Sequence, residues 1–226
     1  PKLSLTKNLE NNGIVYYTAS VGMEPGGFNG VDNPNTAGNL YDFKSEEATQ
    51  HEFGWKGLIA DGRGTASFAA FYIDYKDRQI EFQLPNPNGG GLIEGIFNAG
   101  DSTQLGIEAE FSLRTSEFLT VNGSFGMIDA EWASGTSLYD GAGYVDMSGE
   151  TPPVVPNNGA TFSTNYLRPL ANGVDFSLDF QVSYNGSFKG LQAWNPIINP
   201  SYTVASVQTG WSKDNWELML NLENIT

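Results

Sequence analysis

The chain has 226 residues with 11 basic and 26 acidic side chains, a net charge of −15, no cysteine and one histidine. This acidic balance predicts no nucleic-acid partner, because a phosphate backbone would be repelled. A histidine metal centre or a Ser-His-Asp triad would have to use the single His51, which disfavours both. No apolar run approaches the about 20 residues of a transmembrane helix, whereas strands that are apolar on one face only remain compatible with a transmembrane β-barrel.

Strands are predicted wherever alternating segments lie between clusters of Gly, Asn, Asp and Pro. No segment has the periodicity of a helix. In chain order, the predicted strands begin near Lys2, Ile14, Ala48, Thr65, Ile93, Leu119, Ala160, Val174, Tyr202 and Trp216.

The stretch "FYIDYKDRQIEF" alternates rings and charges, which predicts a strand with one apolar and one wet face. We expect Phe71, Ile73 and Tyr75 to face lipid, and Asp74 and Lys76 to face a wet interior. The alternation breaks after Asp77, which predicts a β-bulge or the end of the membrane-crossing part of the strand.

The clearest alternation is "VDFSLDFQVSY", in which the residues from Val174 to Tyr184 are apolar at every second position. Asp175 and Asp179 lie in the polar set. They are about 13 Å apart by strand rise, too far for paired carboxylate catalysis, so a wet lining is the better interpretation.

Short and long connections alternate along the chain. The segments "LENNG", "ADGRG", "RTSEF", "PLANG" and "SKDN" are typical of tight turns, and four longer segments rich in Gly, Pro and Asn lie between them. This order predicts an up-and-down sheet with tight turns at one end and long loops at the other, as in outer-membrane barrels. Trp211 and Trp216 flank one tight turn, and Trp132, Tyr184 and Tyr202 lie near long loops, which predicts aromatic girdles at both ends.

Several segments resemble the barrel of a TonB-dependent outer-membrane receptor. They are "YTASVGMEPGGFNG", "HEFGWKG", "FYIDYKDRQ", "NAGDSTQLGIEAEF" and "LNLENIT", and together they cover nearly the whole chain. The resemblance implies an all-β, antiparallel up-and-down meander of about ten strands that forms part of a 22-stranded transmembrane β-barrel. Residues 1–226 would be a single, incomplete barrel domain that lacks the family's plug and last strand.

The resemblance also implies a function in uptake and not in catalysis. Such a receptor sits in the bacterial outer membrane and imports a scarce ligand, such as a ferric siderophore, cobalamin or a carbohydrate, with energy from TonB. Its partners would be outer-membrane lipids, the plug, the remaining strands, TonB and an unknown small molecule. We expect no catalytic, cofactor or metal site, and the ligand-contact candidates at the long-loop rim are Arg78, Glu81, Asp129 and Glu131.

Two alternatives remain open at this stage: a complete ten-stranded outer-membrane barrel, and a soluble β-rich ligand-binding module. A fragment of a larger wall predicts an open sheet whose edge strands, "KLSLTKNL" and "WELMLNLE", are not paired with each other. A small closed barrel predicts a ladder between them.

Overall fold

Ten strands pair in chain order into one antiparallel sheet. The computed structural model describes residues 1–10, 12–30, 42–85, 91–139, 144–171, 173–190 and 197–225. The strands of the sheet are β1 (Lys2–Asn8), β2 (Ile14–Glu24), β3 (Glu46–Ile59), β4 (Gly64–Pro85), β5 (Leu92–Arg114), β6 (Leu119–Trp132), β7 (Asn158–Pro169), β8 (Asp175–Asn185), β9 (Tyr202–Lys213) and β10 (Trp216–Leu222). The predicted meander is confirmed, and each predicted start lies within two residues of the observed one.

Tight turns alternate with three long loops, as predicted, and with the connection 86–91 between β4 and β5, which is only six residues because the two strands extend past their neighbours. A 3-10 turn at Ala60–Gly62 joins β3 to β4, with Asp61 in the left-handed region at φ 57°. Three of the long connections hold a short antiparallel pair: Gly27–Phe28 with Asp42–Phe43, Ser137–Tyr139 with Tyr144–Asp146, and Phe188–Lys189 with Ile198–Asn199. Within the described ranges there is no helix long and apolar enough to cross a membrane.

The register divides the sheet into an apolar face and a polar face, because directly paired residues of neighbouring strands point the same way. Leu178 on β8 pairs with Tyr166 on β7 and with Thr209 on β9. The next residue, Asp179, pairs with Asn165 and Gln208. The apolar face includes Leu5, Phe53, Ile107, Phe125, Phe162 and Leu220, and the polar face includes Ser4, Glu52, Glu108, Asn122, Gln181 and Asn221.

The predicted orientation of Phe71 is wrong. Phe71 pairs with Gly106 and Glu52 and therefore lies on the polar face, together with Ile73 and Tyr75. Its ring lies over Gly106, whose absent side chain leaves the space that the ring fills: a Cβ there would be 2.3 Å from the ring. Alternation divides a strand into two sets of side chains but does not say which set lies on the apolar face. An aromatic ring that covers a glycine on the neighbouring strand can lie on the polar face.

This ring-over-glycine contact predicts an unequal response of two glycines on the polar face. Gly106→Ala should lower the free energy of unfolding by about 1–3 kcal/mol, because the new methyl group displaces the Phe71 ring. Gly126→Ala, where the nearest atom to a new Cβ is 3.9 Å away, should be neutral or slightly stabilising. Urea unfolding of the full-length protein measures both changes, and equal losses would contradict the packing role of Phe71.

The sheet is open, with β1 and β10 as its edges. In the part of the chain that the structure describes, no ladder joins Lys2–Asn8 to Trp216–Leu222. The expectation of an open sheet is confirmed, and the ladder that a closed ten-stranded barrel requires is not formed.

Candidate functional site

The candidate site lies at the long-loop end of the sheet, which we call the rim. Here β4 and β5 continue past their neighbours, since β3 pairs with β4 only as far as Lys76 and β6 pairs with β5 only as far as Ser102. The register shifts between Tyr75 and Arg78. Asp77 there adopts φ 50° and Gly100 adopts φ 136°. The predicted bulge is confirmed, and it lies where the long hairpin leaves the sheet.

A small hydrophobic cluster, the rim core, holds a long loop against the polar face. It consists of Phe97, Ala99, Trp132 and Leu138, and Trp132 is only 2% exposed. The loop is fixed by backbone bonds: the N–H of Ala133 donates to the carbonyl of Asp101 at 2.9 Å, and the N–H of Gly149 donates to that of Trp132 at 2.9 Å.

The prediction of an aromatic girdle at the long-loop end is wrong for two of the three rings, because they do not lie on the apolar face. Trp132 lies on the polar face and is buried by the loop, because it pairs with Ser102. Tyr202 also lies on the polar face, in register with Asn185. Tyr184 lies on the apolar face, and at the tight-turn end so do Trp211 and Trp216.

Arg78 is held between two rings on the polar face of the rim. Its guanidinium carbon is 5.0 Å from the centre of the Tyr75 ring and 5.6 Å from that of Trp132, and its Nη1 donates to Oγ of Ser102 at 3.2 Å. Burial lowers the pKa of Arg78, although a guanidinium stays charged in proteins. None of the carboxylates that the structure describes forms a salt bridge with it. Among the described residues, the carboxylate of Glu46 acts on Arg78 through its charge, but no salt bridge holds the guanidinium.

The other three candidates point away from Arg78. Asp129 and Glu131 are exposed on the same face as their partners Leu105 and Thr103, which is the apolar face. Glu81 follows Ile80, which packs on the rim core, so Glu81 points to the opposite side and is exposed. The structure brings none of them to Arg78, and the role of all four in ligand contact stays a prediction.

Asp74 and Lys76 also lie opposite to their predicted side. Lys76 forms salt bridges of 3.4 Å with Asp74 and 3.0 Å with Asp101 on the apolar-face side of the rim, beyond the about ten residues that a strand needs to cross a bilayer. Burial alone would raise the pKa of Asp101, but the hydrogen bonds from the N–H of Asp77 and from Nζ of Lys76 outweigh it and hold this pKa below its usual range.

An antiparallel meander with one apolar face, tight turns at one end and long loops at the other defines a section of β-barrel wall. The sequence profile described as "TonB dependent receptor-like, beta-barrel" matches residues 1–225. The chain therefore belongs to the TonB-dependent receptor β-barrel family, whose members are transporters and not enzymes.

Solved structures of the same architecture cover essentially the whole chain. The ferric yersiniabactin uptake receptor FyuA from Yersinia pestis matches with a TM-score of 0.77 and 22% identity over 99% of this chain and 31% of its own. The siderophore receptor PiuA from Acinetobacter baumannii matches with a TM-score of 0.73 and 19% identity over 99% of this chain and 31% of its own. BauA, the ferric preacinetobactin receptor from the same organism, matches with a TM-score of 0.72 and 21% identity over 100% of this chain and 31% of its own. The chain thus spans about a third of these receptors, and no curated protein matches its sequence.

Proposed function

We propose that the chain is a wall section of an outer-membrane receptor that imports a ferric siderophore with energy supplied through TonB. The observation that carries this proposal is the one-sided sheet: its apolar face leaves Leu5, Leu105, Leu218 and Leu220 more than half exposed. An apolar surface of this extent exceeds what a soluble monomer exposes, which disfavours the soluble binding module. In the proposed function this face contacts lipid and the polar face lines the interior.

The ligand class follows from the structural relatives and from the chemistry of the rim. The relatives named above are described as an uptake receptor for ferric yersiniabactin, a siderophore receptor and a receptor for ferric preacinetobactin. Arg78 supports an anionic or oxygen-rich ligand, because its guanidinium is fixed between the Tyr75 and Trp132 rings and forms no salt bridge with a described carboxylate. Glu81, Asp129 and Glu131, the other predicted contacts, would meet the ligand only from the outer side of the rim.

Uptake of radioactive iron by the full-length protein tests the proposal. The protein is expressed in a Gram-negative strain that lacks its own siderophore receptors, with and without functional TonB. Ferric yersiniabactin, ferric preacinetobactin and a ferric catecholate serve as probes. We expect uptake of at least one probe, and only when TonB is present. Uptake of none, or uptake independent of TonB, would contradict the proposed function.

Two matched variants test the rim. Arg78→Gln should weaken binding of the transported probe about 10- to 100-fold, because a hydrogen bond to a charged group contributes about 1.5–3 kcal/mol. Lys56→Gln removes the same positive charge from the polar face near the tight turns, far from the rim, and should leave affinity within about twofold. Titration of the purified receptor measures both affinities. Equal affinity of the two variants would remove Arg78 from the ligand site.

A further inference from the structure

An aromatic ladder extends from one turn across three neighbouring strands near the tight-turn end of the sheet. It consists of Phe118, in the turn before β6, and Tyr166, Phe176 and Trp211 on β7, β8 and β9. The ring centres are 6.5 Å apart for Phe118 and Tyr166, 6.1 Å for Tyr166 and Phe176, and 5.4 Å for Phe176 and Trp211. All three strand residues lie on the apolar face through their pairing with Leu178, Arg168 and Leu218.

A cation flanks the ladder at each end. The guanidinium carbon of Arg168 lies 5.6 Å from the centre of the Phe118 ring. Lys213 lies on the apolar face opposite Trp216, and its side chain reaches the β7–β8 turn at Gly173. Neither cation forms a salt bridge with a described carboxylate, although Glu117 and Asp214 stand in the adjoining turns.

Charges on the apolar face are separated along the strands. The described strand residues that carry carboxylates on this face lie towards the long loops: Glu47, Asp74, Glu81, Glu94, Asp101, Asp129 and Glu131. Near the tight turns, the described charged residues of the strands on this face are Lys7, Arg168 and Lys213. The described strand residues on this face therefore carry a net negative charge towards the long loops, where Lys76 is the cation among them, and a net positive charge next to the tight turns.

We propose that Arg168 and Lys213, with the aromatic ladder between them, bind the phosphate groups of anionic phospholipids in the periplasmic leaflet. This inference rests on the proposed function, since tight turns of outer-membrane barrels face the periplasm. Aromatic rings favour the depth of the headgroups, and an unpaired guanidinium or ammonium at that depth attracts anionic lipid. The planar guanidinium also fits two phosphate oxygens at once.

Site-specific lipid quenching in vesicles tests the proposal with the full-length receptor. This chain has no cysteine, so Leu218→Cys provides a labelling site in the same cross-strand row as Arg168, Phe176 and Trp211, and cysteines elsewhere in the receptor are replaced. Leu105→Cys, which is 59% exposed on the same face nearer the rim, provides a reference site. Each site carries a bimane fluorophore, and the quenchers are brominated phosphatidylglycerol and brominated phosphatidylcholine.

At the Leu218 site we expect phosphatidylglycerol to be preferred about 3- to 10-fold, and less so in high salt. Arg168→Gln with Lys213→Gln should abolish the preference, and Arg168→Lys alone should keep most of it. Lys2→Gln with Lys56→Gln removes the same charge from the polar face and should change nothing.

The outcomes separate the two proposals. Equal quenching by the two lipids at the Leu218 site, or a preference that survives the double variant, overturns the headgroup site. An equal preference at the Leu105 site also overturns it, because the preference would then belong to the whole receptor surface. Absence of quenching by either lipid at both sites overturns the proposed membrane function itself.

Discussion

Replacement of Phe180 by arginine should lower the free energy of unfolding by about 2–4 kcal/mol. Phe180 is the central residue of β8 and pairs with Thr164 and Val207 on the apolar face. A guanidinium at that depth would lose its hydration in the hydrocarbon. Leu178→Arg should have a smaller effect, because Leu178 lies nearer the tight-turn end of the strand and the cost of a charge falls from the middle of the bilayer towards its interfaces.

The neighbouring residue supplies the control for this substitution. Gln181 lies on the polar face between Ser163 and Ser206, so Gln181→Arg places the same side chain in the interior and should cost less than about 1 kcal/mol. Asp179→Asn on the same face should also cost little. Urea unfolding of the full-length receptor in phospholipid vesicles measures all four variants. Equal losses at positions 180 and 181 would refute the assigned facing.

Loss of the Trp132 side chain should release the loop from the rim. Trp132→Ala removes the largest buried ring of the rim core, which should destabilise the local structure by about 3–5 kcal/mol. Trp132→Phe should cost less, because it keeps a ring and removes an indole N–H that is buried without a partner.

Amide hydrogen exchange measures this local opening. The N–H groups of Met147 and Gly149 bond to the carbonyls of Thr136 and Trp132, and their protection should fall roughly a hundredfold or more in Trp132→Ala. Val145→Ala, on an exposed position of the same loop, should leave protection within about tenfold. Unchanged exchange in the Trp132 variant would mean that the rim core does not hold the loop.

Strand positions were predictable from the sequence because turn chemistry and alternation are local properties. The β8 segment shows this most clearly, since Leu178 and Phe180 alternate with Asp179 and Gln181 without interruption. Loop sorting was predictable for the same reason: tight and long connections differ in length and composition, and an up-and-down order places every second connection at the same end.

The face on which a side chain lies was harder to predict in strands that carry aromatic rings at both odd and even positions. In β4, Phe68 and Tyr72 lie on the apolar face, and Phe71 and Tyr75 lie on the polar face. Only the partner on the next strand decides between them, and Gly106 is 35 positions further along the chain. A local pattern has no access to that pairing.

At the rim, the face of two carboxylates could have been predicted from the sequence, whereas the burial of one tryptophan could not. Asp129 and Glu131 have the same parity as Phe125 and Met127, so alternation alone would have placed them on the apolar face. The burial of Trp132 depends on a loop that folds back over the sheet, and the position of such a loop is set by tertiary contacts.

Every ladder of the sheet joins strands that are neighbours in sequence, which has a consequence for how such walls diversify. Duplication or loss of one hairpin interrupts a single ladder, and the flanking strands meet the next hairpin in the same orientation. The remaining registers and the sorting of turns are unaffected. Circumference can therefore change by two strands at a time during evolution, which agrees with the even strand number of single-chain bacterial barrels.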